Sequence, residues 1–347
     1  MTSPLRLTPA DRVLVVLPHP DDESLAAGGL LQHALEAGAA IRLLFATDGD
    51  NNPWAQRASE RSVWITARDR ARFGAIRRGE VLAALAALGV GGGAASFLAF
   101  PDQGLTALLM RADTHLLDDL RRAVLEFRPT VLVGPSMLDR HPDHSALGVW
   151  IALVLEGVDL PLRHLRFFVH DPGQRRRPPG ATVVALDQPA LGRKRAAIDC
   201  HRTQQFWRGT WLRGFAQSEE AFFEVEPALL ASAHPVRGVH PAEDGWEVLL
   251  ASRSRFRSFG PSTLLLAGLG ADRRPIRLSV SLWPPFGALP VTDTTSGAAL
   301  GSARLRGSTR NGRLMLPAHL LPPPAVLYAK VEHAFGFFDE AGWRRVV

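Results

Sequence analysis

The length and composition of the chain are those of a globular protein with more than one domain. It has 347 residues, of which 46% are hydrophobic and 21% are charged, and this composition excludes a disordered or fibrous chain. The length accommodates one large α/β domain and a smaller module. The single cysteine, Cys200, excludes an intrachain disulfide. Because it lies in a predicted helix, a small buried side chain is favoured over a nucleophile.

The charge pattern gives no sign of a nucleic-acid-binding surface. The formal net charge is +6, and Lys194 and Lys330 are the only lysines among the 40 basic residues. In the arginine-rich stretch 57–78 the basic side chains alternate with acidic ones, so no continuous basic stripe forms. We therefore predict no nucleic-acid partner.

Hydropathy predicts a protein without membrane segments. The N-terminal residues 1–12 lack the apolar core of a signal peptide. No apolar run reaches the roughly 18 residues that a membrane span requires. We expect a cytoplasmic protein with no integral membrane segment, and no oligomeric state is predicted.

Short apolar runs alternate with helical patterns through the first 200 residues. This alternation predicts a Rossmann-like, mostly parallel sheet with helices on both faces. The predicted strands are 12–17, 40–46, 95–99, 130–134, 164–170 and 181–186. The predicted helices are 24–37, a long one ending near Leu88, 114–127, 143–156 and 189–201.

After Pro227 the pattern changes to β runs separated by turns rich in Gly, Pro, Ser and Asp. The clearest runs are 246–251, 262–269, 276–283 and 325–332. They predict a C-terminal antiparallel module resembling a β-sandwich. We place a catalytic domain at 1–230 and a β-rich accessory domain at 231–347.

Two polar turns follow predicted strands of the same sheet. The first, PHPDDE at 18–23, places His19, Asp21 and Asp22 at the end of a buried strand, and the second, HPDH at 141–144, does the same about 120 residues later. One carboxylate is explained as a helix cap, and each turn alone is weak evidence of function. Ligands of open α/β sheets bind at the carboxyl ends of the strands. We therefore expect the two turns to meet around one metal ion, since imidazole and carboxylate are ligands that Zn²⁺ accepts.

These segments resemble the PIG-L/LmbE-like family of zinc-dependent N-acetylglucosaminyl deacetylases. The resemblance covers about residues 10–225. Besides the two turns it is carried by IRRGEVLAALAALGV (76–90), FLAFPDQGL (97–105), KRAAIDCHRTQ (194–204) and EEAFFEV (219–225). It implies an amidohydrolase that removes the N-acetyl group from an N-acetylglucosamine-type sugar of a glycoconjugate.

The resemblance also implies roles for residues at matching positions. His19, Asp22 and His144 would bind Zn²⁺, and Fe²⁺ or Co²⁺ also suits such a set. Asp21 would be the general base toward the metal-bound water. His141 would steady the oxyanion or protonate the departing amine, and Asp143 would orient an imidazole.

Two further residues, Arg77 and Asp102, would bind the sugar by the same resemblance. For Arg77 the alternative is an ion pair within its own helix with Glu80, three residues on. Two alternative functions stay open. One is an amidase of thiol-sugar conjugates that uses the same metal site. The other is a non-catalytic protein that binds a sugar or nucleotide, although the chain has no G-x-G-x-x-G turn or Walker A motif.

Two regions leave alternatives open: a segment at the position of the family's Thr-Asp/Gly-rich active-site loop, and the C-terminal module, which lies outside the family's catalytic core. The segment DGDNN at 48–52, with Trp54 and the arginines that follow, could line an acceptor pocket or cap the long helix and face water. The aromatic residues of the C-terminal module could recognise a sugar or fill the module's core. The residues are Trp246, Trp283, Tyr328, Phe335, Phe337, Phe338 and Trp343.

Overall fold

The computed structural model describes residues 2–170, 180–252, 261–284 and 287–347. The chain divides into two compact units, each built from three stretches of sequence. The first unit comprises Met1–Gly104, Asp118–Ser136 and Val154–Val225, and the second comprises Leu105–Leu117, Met137–Leu153 and Glu226–Val347. The domains 1–230 and 231–347 stay a prediction.

The first unit contains a five-stranded parallel sheet and a small three-stranded sheet, ordered β4-β3-β2-β5-β6 and β1-β7-β8. The predicted parallel sheet is confirmed. Strands β2 and β5, which precede the two polar turns, are neighbours in it. The strands of this unit are β1 (Ser3–Pro4), β2 (Arg12–Leu17), β3 (Ala40–Thr47), β4 (Ala95–Phe100), β5 (Val131–Pro135), β6 (Arg163–Phe167), β7 (Thr182–Ala185) and β8 (Glu219–Phe222).

The helices follow the predicted alternation closely. They are α1 (Asp22–Ala26), α2 (Gly28–Glu36), α3 (Pro53–Glu60), α4 (Ala67–Leu88), α5 (Leu105–Met110), α6 (Thr114–Phe127), α7 (Pro142–Leu155), α8 (Gln188–Cys200), α9 (Arg202–Arg213) and α10 (Ala228–Ala233). A 3-10 turn occupies Gly92–Ala94. Cys200, at the end of α8, is half-buried against the core of the first unit, where burial raises the pKa of its thiol.

The helix predicted at 24–37 is divided into α1 and α2. Ala27 between them has non-helical backbone angles, and the new helix N-terminus is capped by a distant carboxylate. Glu220 of β8 accepts hydrogen bonds from the N–H groups of Gly29 (2.6 Å) and Leu30 (2.9 Å). The buried Lys194 lies 2.5 Å from the same carboxylate. Free N–H groups at a helix start need such a partner, and the sequence pattern of α1 and α2 does not show it.

The second unit contains nine mainly antiparallel strands in one hydrogen-bonded row, ordered β17-β16-β11-β12-β13-β14-β15-β10-β9. The strands are β9 (Val236–Ala242), β10 (Gly245–Leu250), β11 (Ser262–Gly270), β12 (Pro275–Ser281), β13 (Ala288–Asp293), β14 (Ala299–Ser308), β15 (Asn311–Pro317), β16 (Pro324–His333) and β17 (Arg344–Arg345). Val239 of β9 and Leu327 of β16, which lie near opposite ends of the row, belong to one apolar core. The predicted antiparallel module is therefore confirmed.

The described residues include no helix long and apolar enough to span a membrane. The C-terminal aromatic residues divide between the two predicted alternatives. Trp343 and Tyr328 are fully buried in the second unit, whereas Trp283 (42%), Phe335 (68%) and Phe337 (45%) are exposed. A role in the module's core therefore explains Trp343 and Tyr328 but not the three exposed aromatic residues.

Candidate active site

The first polar turn begins where β2 ends at Leu17. The backbone N–H of His19 donates to Asp22 Oδ2 at 3.1 Å, and His19 Nδ1 lies 3.5 Å from the same oxygen. On its other side, His19 Nε2 lies 3.3 Å from Asp102 Oδ1. All three side chains are buried. The predicted residues His19, Asp22 and Asp102 are thus brought together within the first unit.

Asp21 is held in a backbone conformation that its side chain disfavours. Its φ is 116°, in the left-handed region, and its N–H donates to Glu23 Oε2 at 3.0 Å. Its carboxylate accepts a hydrogen bond from Arg77 Nη2 at 3.0 Å. Burial raises the pKa of Asp21 to about 6, although the Arg77 guanidinium opposes this shift. The two neighbouring carboxylates therefore have different partners, Arg77 for Asp21 and His19 for Asp22.

Glu23 and His201 form a buried pair that sequence reasoning did not assign. Glu23 Oε1 accepts from Ser24 Oγ at 2.7 Å and lies 2.7 Å from His201 Nε2. Burial lowers the pKa of His201, but the charge of Glu23 and its hydrogen bond outweigh burial, so the pKa is raised. Both residues lie in segments that carry the family resemblance, yet spacing alone could not pair residues 178 positions apart.

Arg77 supports the first turn from helix α4. Its guanidinium donates to Gly49 O at 2.8 Å and to Pro20 O, in addition to Asp21. Gly49 has a φ of +60°, and a Cβ built there would lie 1.8 Å from Arg77 Nη1, so glycine is required at this position. Glu80 is bound elsewhere, since it accepts two hydrogen bonds of 2.7 Å from Thr203. The structure therefore does not show the intrahelical ion pair with Glu80.

Asp102 links the first turn to the DGDNN segment. Its Oδ2 accepts the backbone N–H of Asn51 at 2.8 Å, while its Oδ1 faces His19. Burial raises the pKa of Asp102, but His19 and Arg77 together outweigh it, and the pKa is lowered. Asp102 is therefore held as a carboxylate next to the His19 imidazole.

The residues after the DGDNN segment both line a cavity and face water. The cap of the long helix is Thr66, whose side chain forms a capping box with Asp69. Trp54 is 60% exposed. A cavity of about 150 Å³ is lined by Asp50, Asn51, Pro53, Gln56, Arg57, Val63, Trp64, Ile65 and Arg70. Arg57 and Arg70 line this cavity, which agrees with the predicted pocket. The exposure of Trp54 agrees with the alternative, in which the segment faces water.

The second polar turn lies in the second unit and leads into α7. Asp139, which sequence reasoning did not assign, contacts both histidines of this turn: its Oδ1 accepts the backbone N–H of His141 at 2.9 Å, and its Oδ2 lies 3.6 Å from His144 Nδ1. His144 is fully buried. A carboxylate beside one imidazole nitrogen is the usual support of a metal-binding histidine, because it orients the ring.

The ring of His141 is oriented by the start of α7. Its Nδ1 accepts the backbone N–H of Asp143 at 3.2 Å, so in the neutral ring the proton is carried by Nε2. The Asp143 Oδ1 accepts the backbone N–H of Leu105 at 3.0 Å, and the Asp143 side chain is fully buried. The turn thus presents one N–H donor from His141.

Residues 14–154 match the family described as PIG-L: GlcNAc-PI de-N-acetylase. This stretch is a PIG-L family domain. It begins in β2 and ends in α7, so it contains both polar turns, whereas Glu220, His201 and the β-rich strands of the second unit lie beyond it.

Two curated proteins are similar to part of this chain. A 1D-myo-inositol 2-acetamido-2-deoxy-alpha-D-glucopyranoside deacetylase of Mycobacterium avium is 36% identical over 153 residues, which are 38% of this chain and 47% of that protein. A protein of the same name from Mycobacterium sp. (strain KMS) is 34% identical over 156 residues, 41% of this chain and 49% of that one. The chain thus spans about half the length of these relatives.

Among solved structures, the chain is similar to the N,N'-diacetylchitobiose deacetylase of Pyrococcus horikoshii. The identity is 20%, the coverage is 63% of this chain and 85% of that one, and the TM-score is 0.46. At this score the likeness carries no functional argument.

Buried histidine and aspartate side chains that could hold a metal ion are present among the described residues. They include His19, Asp102, His141, Asp143 and His144. All except Asp102, which follows β4, lie in the two polar turns of the PIG-L domain. The role of each predicted residue stays a prediction.

Proposed function

We propose that the protein is a metal-dependent N-deacetylase that removes the acetyl group from an N-acetylglucosamine-type amino sugar of a glycoconjugate. The PIG-L domain supports this reaction, and the deacetylases that resemble it are named for a 2-acetamido sugar. One observation carries the proposal. The neighbouring carboxylates Asp21 and Asp22 have different partners, Arg77 for the first and His19 for the second. They can therefore divide the roles of base and ligand.

We assign His19, Asp22 and His144 as the residues that would hold Zn²⁺, with Fe²⁺ and Co²⁺ as alternatives. The donor set fits, because it consists of two imidazoles and one carboxylate, all buried. The adjacent carboxylates Asp102 and Asp139 flank the two imidazoles, as is common around metal-binding histidines. When bound, such an ion acts as a Lewis acid toward a carbonyl group and makes water a stronger nucleophile.

We assign Asp21 as the residue that would accept the proton of the attacking water. Its carboxylate remains 15% accessible, whereas that of Asp22 is 2% accessible. Arg77 holds one oxygen of Asp21, which leaves the other carboxylate oxygen to act as base. Because Arg77 contacts Asp21 and two backbone carbonyls, we assign it mainly to positioning and retain Asp102 as a sugar contact.

The ring geometry of His141 distinguishes its two predicted roles. Since Nδ1 accepts the Asp143 N–H, a neutral His141 presents Nε2–H as a hydrogen-bond donor. A doubly protonated ring would lose that hydrogen bond. The contact therefore favours stabilisation of the developing oxyanion over protonation of the departing amine.

The test is acetate release from a panel of N-acetylated sugars by the 347-residue protein, with and without a chelator. Release from N-acetylglucosamine glycosides that stops with chelator and returns with Zn²⁺ is the expected result. Cleavage confined to thiol-sugar conjugates would favour the amidase alternative. Binding of the sugars without any release would identify a non-catalytic sugar-binding protein.

A further inference from the structure

The segment 334–343, between β16 and β17, is bonded to the second polar turn, and both lie in the second unit. The N–H of Asp339 donates to Arg140 O at 2.9 Å, and Arg140 Nε donates back to Asp339 O at 2.9 Å. The N–H of Trp343 donates to Met137 O at 2.6 Å. Residues nearly 200 positions further along the chain therefore fix the backbone that carries His141.

This segment is firmly anchored to the β-strands of the second unit. Lys330 is fully buried and lies 2.8 Å from Asp339 Oδ2 and 5.9 Å from the centre of the Trp343 ring. At Gly342 the approach is so close that a Cβ would lie 2.3 Å from Met137 O. The buried ion pair, the Trp343 ring and the close approach at Gly342 together hold the segment against the second polar turn.

The same segment holds an aromatic side chain against His141. The Phe337 ring lies 4.9 Å from the His141 ring at an angle of 76°, and 5.1 Å from the Phe338 ring at 83°. Despite these contacts, Phe337 is 45% exposed. A large apolar ring is thus kept accessible beside the residue assigned to the oxyanion, at the cost of exposing apolar surface to water.

We infer that Phe337 is a substrate contact whose ring stacks on the apolar face of the amino sugar that carries the amide. This inference rests on the proposed function. If His141 acts at the amide carbonyl, the groups next to it are the acetyl methyl and the sugar ring. A methyl group is too small to cover a phenyl ring, whereas the C–H face of a pyranose matches it in size.

The decisive variants are Phe337→Ala and Phe337→Trp, with Phe335→Ala as the matched control. Phe335 is on the same segment and is 68% exposed, so its removal tests for nonspecific loss of apolar surface. Phe337→Ala should raise KM for an N-acetylglucosamine glycoside roughly two- to tenfold with kcat nearly unchanged. Phe337→Trp should restore KM, and Phe335→Ala should leave it unaltered.

Two further measurements separate this inference from the proposed function. The first repeats the kinetics with N-propionyl and N-butyryl sugars; an effect of Phe337→Ala that changes with acyl length would assign the ring to the acyl chain and overturn the sugar contact. The second is saturation-transfer NMR with glucosamine, which needs no turnover. Binding lost in Phe337→Ala and kept in Phe335→Ala supports the contact even if acetate is never released. No binding, or equal binding by all variants, overturns it.

Discussion

The two polar turns share the tripeptide His-Pro-Asp but are supported by opposite means. The first is held by charge. The Glu23 carboxylate accepts the Asp21 N–H and also contacts His201. Its charge raises the pKa of His201, although burial lowers it. The second is held by backbone bonds from the 334–343 segment. There a neutral histidine, His234, accepts from Val236 N–H and faces Gly342 O at 3.0 Å. A buried imidazole can thus serve as a cation or a neutral bridge, depending on its partner.

The largest effect should come from removing a proposed metal ligand or the proposed general base. His144→Ala should lose both bound metal and turnover, because one of the three proposed ligands is gone. Asp21→Asn should retain metal while turnover falls roughly a hundredfold or more, as expected for loss of a general base. Metal content by mass spectrometry and acetate release check both. Near-normal activity of Asp21→Asn would remove Asp21 from the base role.

A second, smaller loss of activity should follow from Gly49→Ala, which disturbs only the support of the first turn. The added Cβ would displace the Arg77 guanidinium from Asp21, and displacements of about 1 Å at a reacting group can cost roughly a hundredfold in rate. Metal should remain bound. Gly38→Ala is the control, since Gly38 also has a positive φ, of +72°, but its nearest neighbour would be 3.7 Å away. Equal kinetics of the two variants would exclude the Arg77 contact as the cause.

The neutral His234, which bridges Val236 and Gly342, predicts that the free energy of unfolding falls in acid. Burial lowers the pKa of His234 to about 4, below the ordinary value of 6.5. Its contribution is therefore complete above pH 6.5 and is lost as the pH falls toward 4, by on the order of 3 kcal/mol. Urea unfolding at several pH values should show the free energy of unfolding falling over this pH range. The fall should be smaller in His234→Gln. An unchanged slope would contradict a neutral His234.

The charged pair of His201 and Glu23 predicts that stability falls as the pH rises, and this effect should be the smallest. The raised pKa of His201 means that its contribution is complete below about pH 6.5 and is lost as the pH rises through the folded-state pKa. The net size should be modest because burial offsets much of the attraction between the charges. In His201→Gln the loss of stability between pH 6 and 9 should be smaller than in the unaltered protein. The same urea series measures it.

Much of the first unit could be predicted from periodicity. Strand β2 and helix α6 match their predicted bounds, because apolar runs and amphipathic repeats are local signals. The break between α1 and α2 could not be predicted, since it depends on Glu220, which is almost 200 residues away in sequence. In the second unit the four clearest strands were found. Others, such as β14, are too exposed and glycine-rich for alternation to reveal them.

The sequence by itself located the candidate site: two His-Pro-Asp turns after buried strands, inside the stretch 14–154 that matches the PIG-L family. Only the tertiary structure decided how each side chain is held. The pairing of Glu23 with His201 and the contact of Phe337 with His141 join residues 178 and 196 positions apart. Periodicity reports which face of a strand or helix is buried. It does not report which distant residue meets that face, because this is settled by how the packed elements are arranged.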